Sequence, residues 1–522
     1  MPRHLPEEMW SPLPEPRYLE RPAFVALVGC LVGIGAFSTR SVLFWAGLLL
    51  LTGLAALVTA GVAQDKGLTK VTLYARLLGS VALIGAAFGV YAAERTHAAL
   101  CFPDRLEEYD VPIEILYPAA STASSPVQYA ARATIDGQEY RLLLRPASGE
   151  RLPLEYGVCL PADLRLRSIA TGESYHRYLL SEGFHASGSF TPLSSPVEMN
   201  HPPLASRLQA FREKLVRSFE VRTAGLMRPE SAGLLAALSL GDRSRISITD
   251  RDAFRDSGLA HVMAVSGYHL GIVFLLLGGV LRVFLYQYRM RWLRYLLLFL
   301  GILGYTLLSG ASTATVRALV MSTLLLLGRA LGRQTDTAQL LSLTMLLFLL
   351  YQPFSYMSVG LLLSLAAVWG ILSILPLFQR LIRPSLRWLS TMRDAFFVTI
   401  AAQLALLPLL FLFFEKIQLS IIWSNIPLVF LSGILIPLGL FLLLLTPLLG
   451  GAIPDLLYTV AGKMTEVMQL LTGGFGSREY ALDVFSRWDY VALILYYATL
   501  FTAYWVGVRT LNARMSYSTD VV

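Results

Sequence analysis

Along most of this chain apolar residues come in unbroken runs, neither alternating as in a half-buried strand nor confined to one stripe as in a soluble helix. A helix needs about 20 residues to cross a hydrocarbon layer of ~30 Å. Runs of that order fall at 23–39, 41–63, 71–94, 260–287, 295–310, 314–331, 337–352, 358–378, 394–414 and 489–508, with one long run at 418–449. Roughly ten or eleven transmembrane helices follow from this pattern. Pro427 and Pro437 interrupt the 418–449 run and predict two half-helices or a re-entrant pair there. Between 101 and 200 the pattern switches to short alternating runs, VPIEILYP, VQYAARATI, YRLLLRP and VCLPADLRLRS, with the hairpin signal Asp136-Gly137 between two of them. Five or so short strands predict a small β-barrel of OB type.

Charge placement orients these parts. Lys66 and Lys70 in QDKGLTK, and the arginine-rich loops YQYRMRWLR and FQRLIRPSLRW, mark cytoplasmic loops by the positive-inside rule, which sends the strand-rich segment to the other side. The expected fold is therefore a polytopic α-helical membrane protein with an inserted extracytoplasmic OB-like β-barrel domain. Five regions are expected: an N-terminal tail and three transmembrane helices at 1–100, the β domain at 101–200, amphipathic interfacial helices at 201–257, a transmembrane core at 258–450, and an amphipathic segment with a last transmembrane helix at 451–522. The Pro-rich start, MPRHLPEEMWSPLPEPRYLERP, precedes no small-residue cleavage pattern and reads as a retained tail. Within 203–228, Leu208, Phe211, Leu215, Val216 and Phe219 share one face and Arg207, Arg212, Lys214, Arg217 and Arg222 surround the other, the pattern of a helix lying against lipid headgroups.

Composition agrees. Of 522 residues, 55% are hydrophobic and 15% charged, with mean hydropathy +0.58, a poor description of a soluble enzyme. The net charge of +8 reflects mostly arginines near span ends. The 101–200 segment holds thirteen acidic and eight basic residues, the wrong net sign for phosphate contact, so nucleic-acid binding there would be local or absent. Cys101 and Cys159 bracket that segment and could pair across it in an oxidising compartment.

Candidate chemistry lies inside the apolar runs, where polar side chains cost a few kcal/mol each unless something holds them. In GLAHVMAVSGYHLGIV, a continuous helix would place His261, Ser266 and His269 within an arc of about 140°, able to face a bundle interior. The histidines stand eight residues apart, too far for one metal ion without a break at Gly267. Ser266 and His269 are one turn apart and keep an intramembrane hydrolase open, although no orienting carboxylate accompanies them. In YTLLSGASTATVRALVMS, Thr306, Ser309, Thr313 and Arg317 are spaced three, four and four, a continuous polar stripe that argues for a water-filled path. Gln403 and Asn425 add intramembrane amides. No phosphate loop occurs, since Gly462-Lys463 lacks both the upstream glycine and the hydroxyl residue, and the seven histidines form no HxHxDH cluster. Neither a cofactor nor a metal is expected. A small-molecule or lipid-intermediate transporter stays open beside the hydrolase.

Six stretches in order, ESYHRYLLSEGFHASGSF, LLAALSLGDRSRIS, FRDSGLAHVMAVSGYHLGIV, LSGASTATVRALVM, SVGLLLSLAAVWGIL and AAQLALLPLLFLF followed by SNIPL, resemble the ComEC family of competence proteins. That resemblance implies an inner-membrane channel that passes single-stranded DNA into the cytoplasm during natural transformation, not an enzyme. It maps Asp242 and Arg243 onto the family's GDR element, His261, Ser266, Gly267 and His269 onto HxxAxSGxH, Arg317 onto SxxxxxRA and Asn425 onto a late Asn-Pro-like element. Single-stranded DNA and membrane lipid are the implied partners, together with an extracytoplasmic DNA receptor and a cytoplasmic motor or ssDNA-binding protein. At 360–365 the chain reads GLLLSL where the family usually shows GFQLSF, which removes a polar contact at Leu362. Many members end in a metallo-β-lactamase-like domain that this sequence lacks, so a separate nuclease is expected. Oligomeric state is open.

Overall fold

A computed structural model describes residues 25–31, 78–92, 102–119, 128–149, 152, 154, 157–169, 179–194, 204–242, 245–263, 265–287, 290–332, 336–381, 387–413, 416–418, 420–445, 452–475, 481–483 and 490–519. The spans expected at 23–39, 41–63 and 71–94 fall mostly outside these, represented by helical residues 25–31 and the apolar helix α1 (Leu78–Ala92).

The strand-rich segment forms a closed barrel of β1 (Arg105–Ala119), β2 (Gln128–Ile135), β3 (Gln138–Pro146), β4 (Cys159–Ser168) and β5 (Ala186–Pro192), in the order β1-β2-β3-β5-β4. All neighbours are antiparallel except β3 and β5. Alternation decides the faces: Ile113, Ile115, Leu142, Leu144, Leu160, Leu164, Leu166 and Phe190 fill the interior, while polar neighbours point out. Asp136 and Gly137 both take positive φ, 50° and 76°, as the two-residue hairpin turn requires. At Gly188 a Cβ would lie 2.0 Å from the Arg165 carbonyl oxygen, so only glycine lets β5 approach β4 this closely.

The remainder is helical: α2 (Leu204–Thr223), α3 (Pro229–Leu240), α4 (Ile248–Asp256), α5 (Ala260–Met263), α6 (Gly267–Phe284), α7 (Arg291–Leu308), α8 (Thr313–Ala330), α9 (Thr337–Tyr351), α10 (Val359–Ser373), α11 (Leu375–Leu381), α12 (Arg387–Phe413), α13 (Ile421–Leu445), α14 (Ala452–Phe475) and α15 (Tyr490–Thr519). Among the described residues six stretches are long and apolar enough to cross a membrane: α6, α7, α8, Val359–Arg380, Phe396–Phe413 and Ile421–Leu444. Helix α3 is apolar all round, and every residue from Ser231 to Leu240 is buried. It is the axis of the helical core, wrapped by Val216 and Phe219 of α2, Leu435 and Leu442 of α13 and Tyr458 of α14.

Three local outcomes differ from the sequence reading. The 260–287 run is broken: α5 stops at Met263 and α6 starts at Gly267, with Ser266 as N-cap in extended conformation. Thr306, Ser309, Thr313 and Arg317 do not share one helix, because Gly310 (φ 86°) and Ala311 (φ 48°) turn the chain between α7 and α8. Conversely, the proline-bearing run is one helix, with Pro427 and Pro437 inside α13. Each proline withholds one backbone N–H, a loss that a helix packed against α3 and α14 tolerates without breaking.

The barrel is seated on the helical core by an apolar contact. Leu143 and Ala130 on its outer face join Leu179, Leu180 and Phe184, and all pack on Phe354 in a 3₁₀ turn (Pro353–Met357) between α9 and α10. Gln352 adds a hydrogen bond from Nε2 to the Leu180 carbonyl, 2.9 Å.

Candidate functional site

The elements carrying the polar motifs meet where α3, α6 and the α7–α8 turn converge. Gly241 ends α3 in left-handed conformation (φ 74°), its N–H donating to the Ala237 carbonyl. A Cβ there would come within 2.9 Å of Val265 Cγ2 and 3.2 Å of the Ser309 carbonyl oxygen, so three separate sequence stretches touch through this glycine. Tyr305 Oη donates to the Ser239 carbonyl at 3.1 Å, and Ser312 Oγ to the Val265 carbonyl at 3.5 Å. Beside them the buried Asp242 carboxylate accepts from Arg245 Nη1 at 2.8 Å, and the same guanidinium pairs with Glu220 of α2. Arg243 lies outside the described residues.

At the start of α6, Ser266 N–H donates to His269 Nδ1 at 3.3 Å, and Ser266 Oγ lies 3.1 Å from the same nitrogen. Histidine here takes the place of the acidic residue in a capping box, which satisfies a backbone donor that a broken apolar helix would otherwise leave bare. Nδ1 accepts in this arrangement, so the neutral ring carries its proton on Nε2. His269 is fully buried, and a Cβ at Gly267 would lie 3.6 Å from Ala318 Cβ of α8. His261 belongs to the short helix α5, and its side chain is outside the description.

Arg317, next to Ala318 and about 100° around α8 from it, faces Gly360 of α10. Its side chain is 7% exposed, its Nη atoms lie 3.6 and 3.7 Å from where a Cβ at Gly360 would sit, and its Nε has no hydrogen-bond partner among the described residues. Glu182, in the turn that seats the barrel, is the acid whose field reaches it, without an ion pair within 4.0 Å among the described residues. Burial pushes the Glu182 carboxyl above the usual carboxylate range, and the Arg141 and Arg317 guanidiniums pull it partly back. A guanidinium this buried and this poorly paired is costly, which marks the position as one built for something other than packing.

The remaining expected residues are dispersed. Thr306 Oγ1 donates to the Ile302 carbonyl at 2.8 Å and Ser309 Oγ to the Thr306 carbonyl at 3.0 Å, so both hydroxyls are turned back onto α7. Thr313 is exposed at the first turn of α8. Gln403 is half-buried on α12. Asn425 Nδ2 donates to Thr399 Oγ1 at 2.8 Å, joining α13 to α12, while Asn425 Oδ1 is buried without a partner among the described residues. The structure thus gathers Ser266, Gly267 and His269, with Ser309 and Asp242 nearby, while Arg317 faces Gly360 and Asn425 bonds Thr399. The Cys101–Cys159 pairing rests on Cys101, outside the described residues. Among those residues no group of three His, Cys, Asp or Glu side chains could hold a metal ion. Glu182 was not singled out in the sequence, and Gly241 and Gly360 figured only as the first residues of the GDR and GLLLSL stretches.

A profile of the competence protein family matches residues 238–510, just over half of the chain. ComE operon protein 3 of Bacillus subtilis (strain 168) is 28% identical over 254 residues, covering 48% of this chain and 30% of that relative. Recombination protein 2 of Haemophilus influenzae (strain ATCC 51907 / DSM 11121 / KW20 / Rd) is 27% identical over 301 residues, covering 54% of this chain and 36% of that relative. The chain therefore spans about a third of the length of these curated relatives. No solved structure matches it.

Proposed function

The chain belongs to the competence protein family, and from that premise we propose that it is a multi-pass channel that passes single-stranded DNA across the bacterial cytoplasmic membrane into the cytoplasm during DNA uptake. The OB-type barrel stands on the outer side, and the helices from α6 to α13 form the path. A strand carrying about one charge per nucleotide cannot cross hydrocarbon, so the path must supply water and a few contacts weak enough to let phosphates slide. A receptor that delivers DNA, a nuclease that removes the second strand and a cytoplasmic motor or ssDNA-binding protein complete the process.

The observation that carries this reading is Arg317: a buried guanidinium on the apolar helix α8, 7% exposed, with its Nε unpartnered among the described residues. It attracts phosphate strongly when water enters and loses little pairing in doing so, because Glu182 does not hold it in an ion pair. Arg317 faces Gly360 of α10 and its neighbour Ala318 faces Gly267 of α6, so α8 closes against both helices in a shut path, and opening parts α8 from α6 or from α10. Arg317→Leu should abolish uptake of labelled DNA while the protein still accumulates in the membrane. Normal uptake by that variant would remove the main support for the channel.

A further inference from the structure

We propose that the outer face of the barrel, on strands β3, β5, β4 and β1, is a docking cleft for the phosphate backbone of a nucleic-acid strand, read without regard to sequence. The cleft has a volume of about 540 Å³ and opens on the exterior of the sheet. Strand register builds it in two rows. One runs Arg145, Ser189, Arg165, Glu107 and the other Leu143, Ser187, Arg167, Arg105, each residue paired with the next across neighbouring strands. Ser187, Gly188 and Ser189 form a low polar floor, and the arginines rise on both sides of it. Rows of side chains on one strand repeat every ~6.8 Å and neighbouring strands lie ~4.8 Å apart, so the guanidiniums are spaced to meet successive phosphates of an extended chain.

Charge is segregated here. The 101–200 segment carries thirteen acidic and eight basic residues, yet the cleft takes four of the eight arginines and one of the thirteen acids, Glu107. Arg165 pairs with Glu107 at 3.6 Å, whereas the side chains of Arg105, Arg145 and Arg167 make no hydrogen bond or ion pair among the described residues. Three exposed guanidiniums on a rigid sheet, held near one another against their own repulsion, suit a polyanion. The concave shape favours a flexible strand over a flat bilayer surface, and the absence of an aromatic ring from the lining predicts binding through phosphates without base stacking. Leu143 lines the cleft and also packs in the seat against Leu179, Leu180 and Phe354, so a strand held here lies beside the helical core.

The ligand class rests on the channel reading, but the test does not need translocation. The full chain, purified into nanodiscs of zwitterionic lipid, is titrated with fluorescent oligo(dT) over a range of salt. Three phosphate contacts, from Arg105, Arg145 and Arg167, predict a slope of log K against log salt of about −2.1, falling to about −0.7 in Arg145→Gln/Arg167→Gln, with affinity at least about tenfold weaker at low salt. Arg132→Gln, also on the barrel exterior but paired with Glu114 and Glu139, should bind as the parent does. Unchanged oligo(dT) binding in the double variant, no binding by the parent, or a loss seen only with anionic phosphatidylglycerol vesicles would each overturn the proposal. Loss of binding in the cleft variant together with normal DNA uptake by Arg317→Leu would leave the cleft standing and bring down the channel; the opposite pair of results would do the reverse.

Discussion

At the scale of single residues, the site turns on positions where one atom more does not fit. Gly241 combines a left-handed φ of 74° with contact to Val265 and the Ser309 carbonyl. Gly241→Ala carries a conformational cost of about 1–2 kcal/mol plus crowding of Val265, together about 2–3 kcal/mol, and should lower the thermal midpoint of the detergent-solubilised protein markedly. A midpoint within error of the parent would show that the α3 end relaxes freely. Sequence reading singled out Ser266, His269 and Ser309 around this point because polar side chains stand out in an apolar run, and Asp242 through the GDR stretch. It could not see that a glycine joins them, since contact between stretches some twenty-five and some seventy residues apart leaves no local mark. The cleft arginines were hidden for another reason: summing charge over a segment averages separate patches of the barrel exterior, and only strand register shows which side chains share one patch.

Elements were legible where their periodicity was strong. The barrel strands and the hairpin at Asp136-Gly137 follow from alternation and turn chemistry, and the long apolar helices from length. Boundaries set by tertiary contact were not. Ser266 starts α6 because a histidine three residues on supplies its cap, and α13 runs through two prolines because its neighbours hold it. The 3₁₀ turn at Pro353–Met357 carried no periodic signal, yet it seats the barrel. Phe354 is 5% exposed in that seat, and Phe354→Ala should cost about 3–5 kcal/mol of local stability. Hydrogen exchange would then rise in the turn at residues 179–184 while amides of the barrel interior, around Ile113 and Leu142, stay protected. Equal loss of protection in both places would mean that barrel and seat open as one unit.

For the whole molecule, acid should loosen the barrel. His185 Nδ1 accepts the Arg141 backbone N–H at 2.9 Å, which requires the neutral ring, and burial holds the imidazole below its ordinary 6.5, opposed by the Glu139 carboxylate and reinforced by the Arg141 guanidinium. A depressed histidine contributes stability that is present above the unfolded value and lost as pH falls through the folded one, by at most about 1.4 kcal/mol per pH unit. Glu182 has the opposite sign: its raised carboxyl favours the folded state most below 4.5 and loses that advantage as pH rises through the folded value. The difference between the parent and His185→Asn, which keeps an acceptor but does not titrate, isolates the histidine. Exchange-derived barrel stability should drop for the parent between about pH 7.5 and about pH 5.5 and change less in the variant; parallel curves would assign the acid limb elsewhere. The 3₁₀ turn beneath the barrel is separated from Gly360 by Ser358 and Val359 alone, so the pedestal of the barrel and the backbone facing the Arg317 guanidinium are one stretch of eight residues, Pro353 to Gly360. A pull on the barrel would reach that guanidinium along a tether with almost no slack, which makes the barrel a mechanical handle on the buried charge.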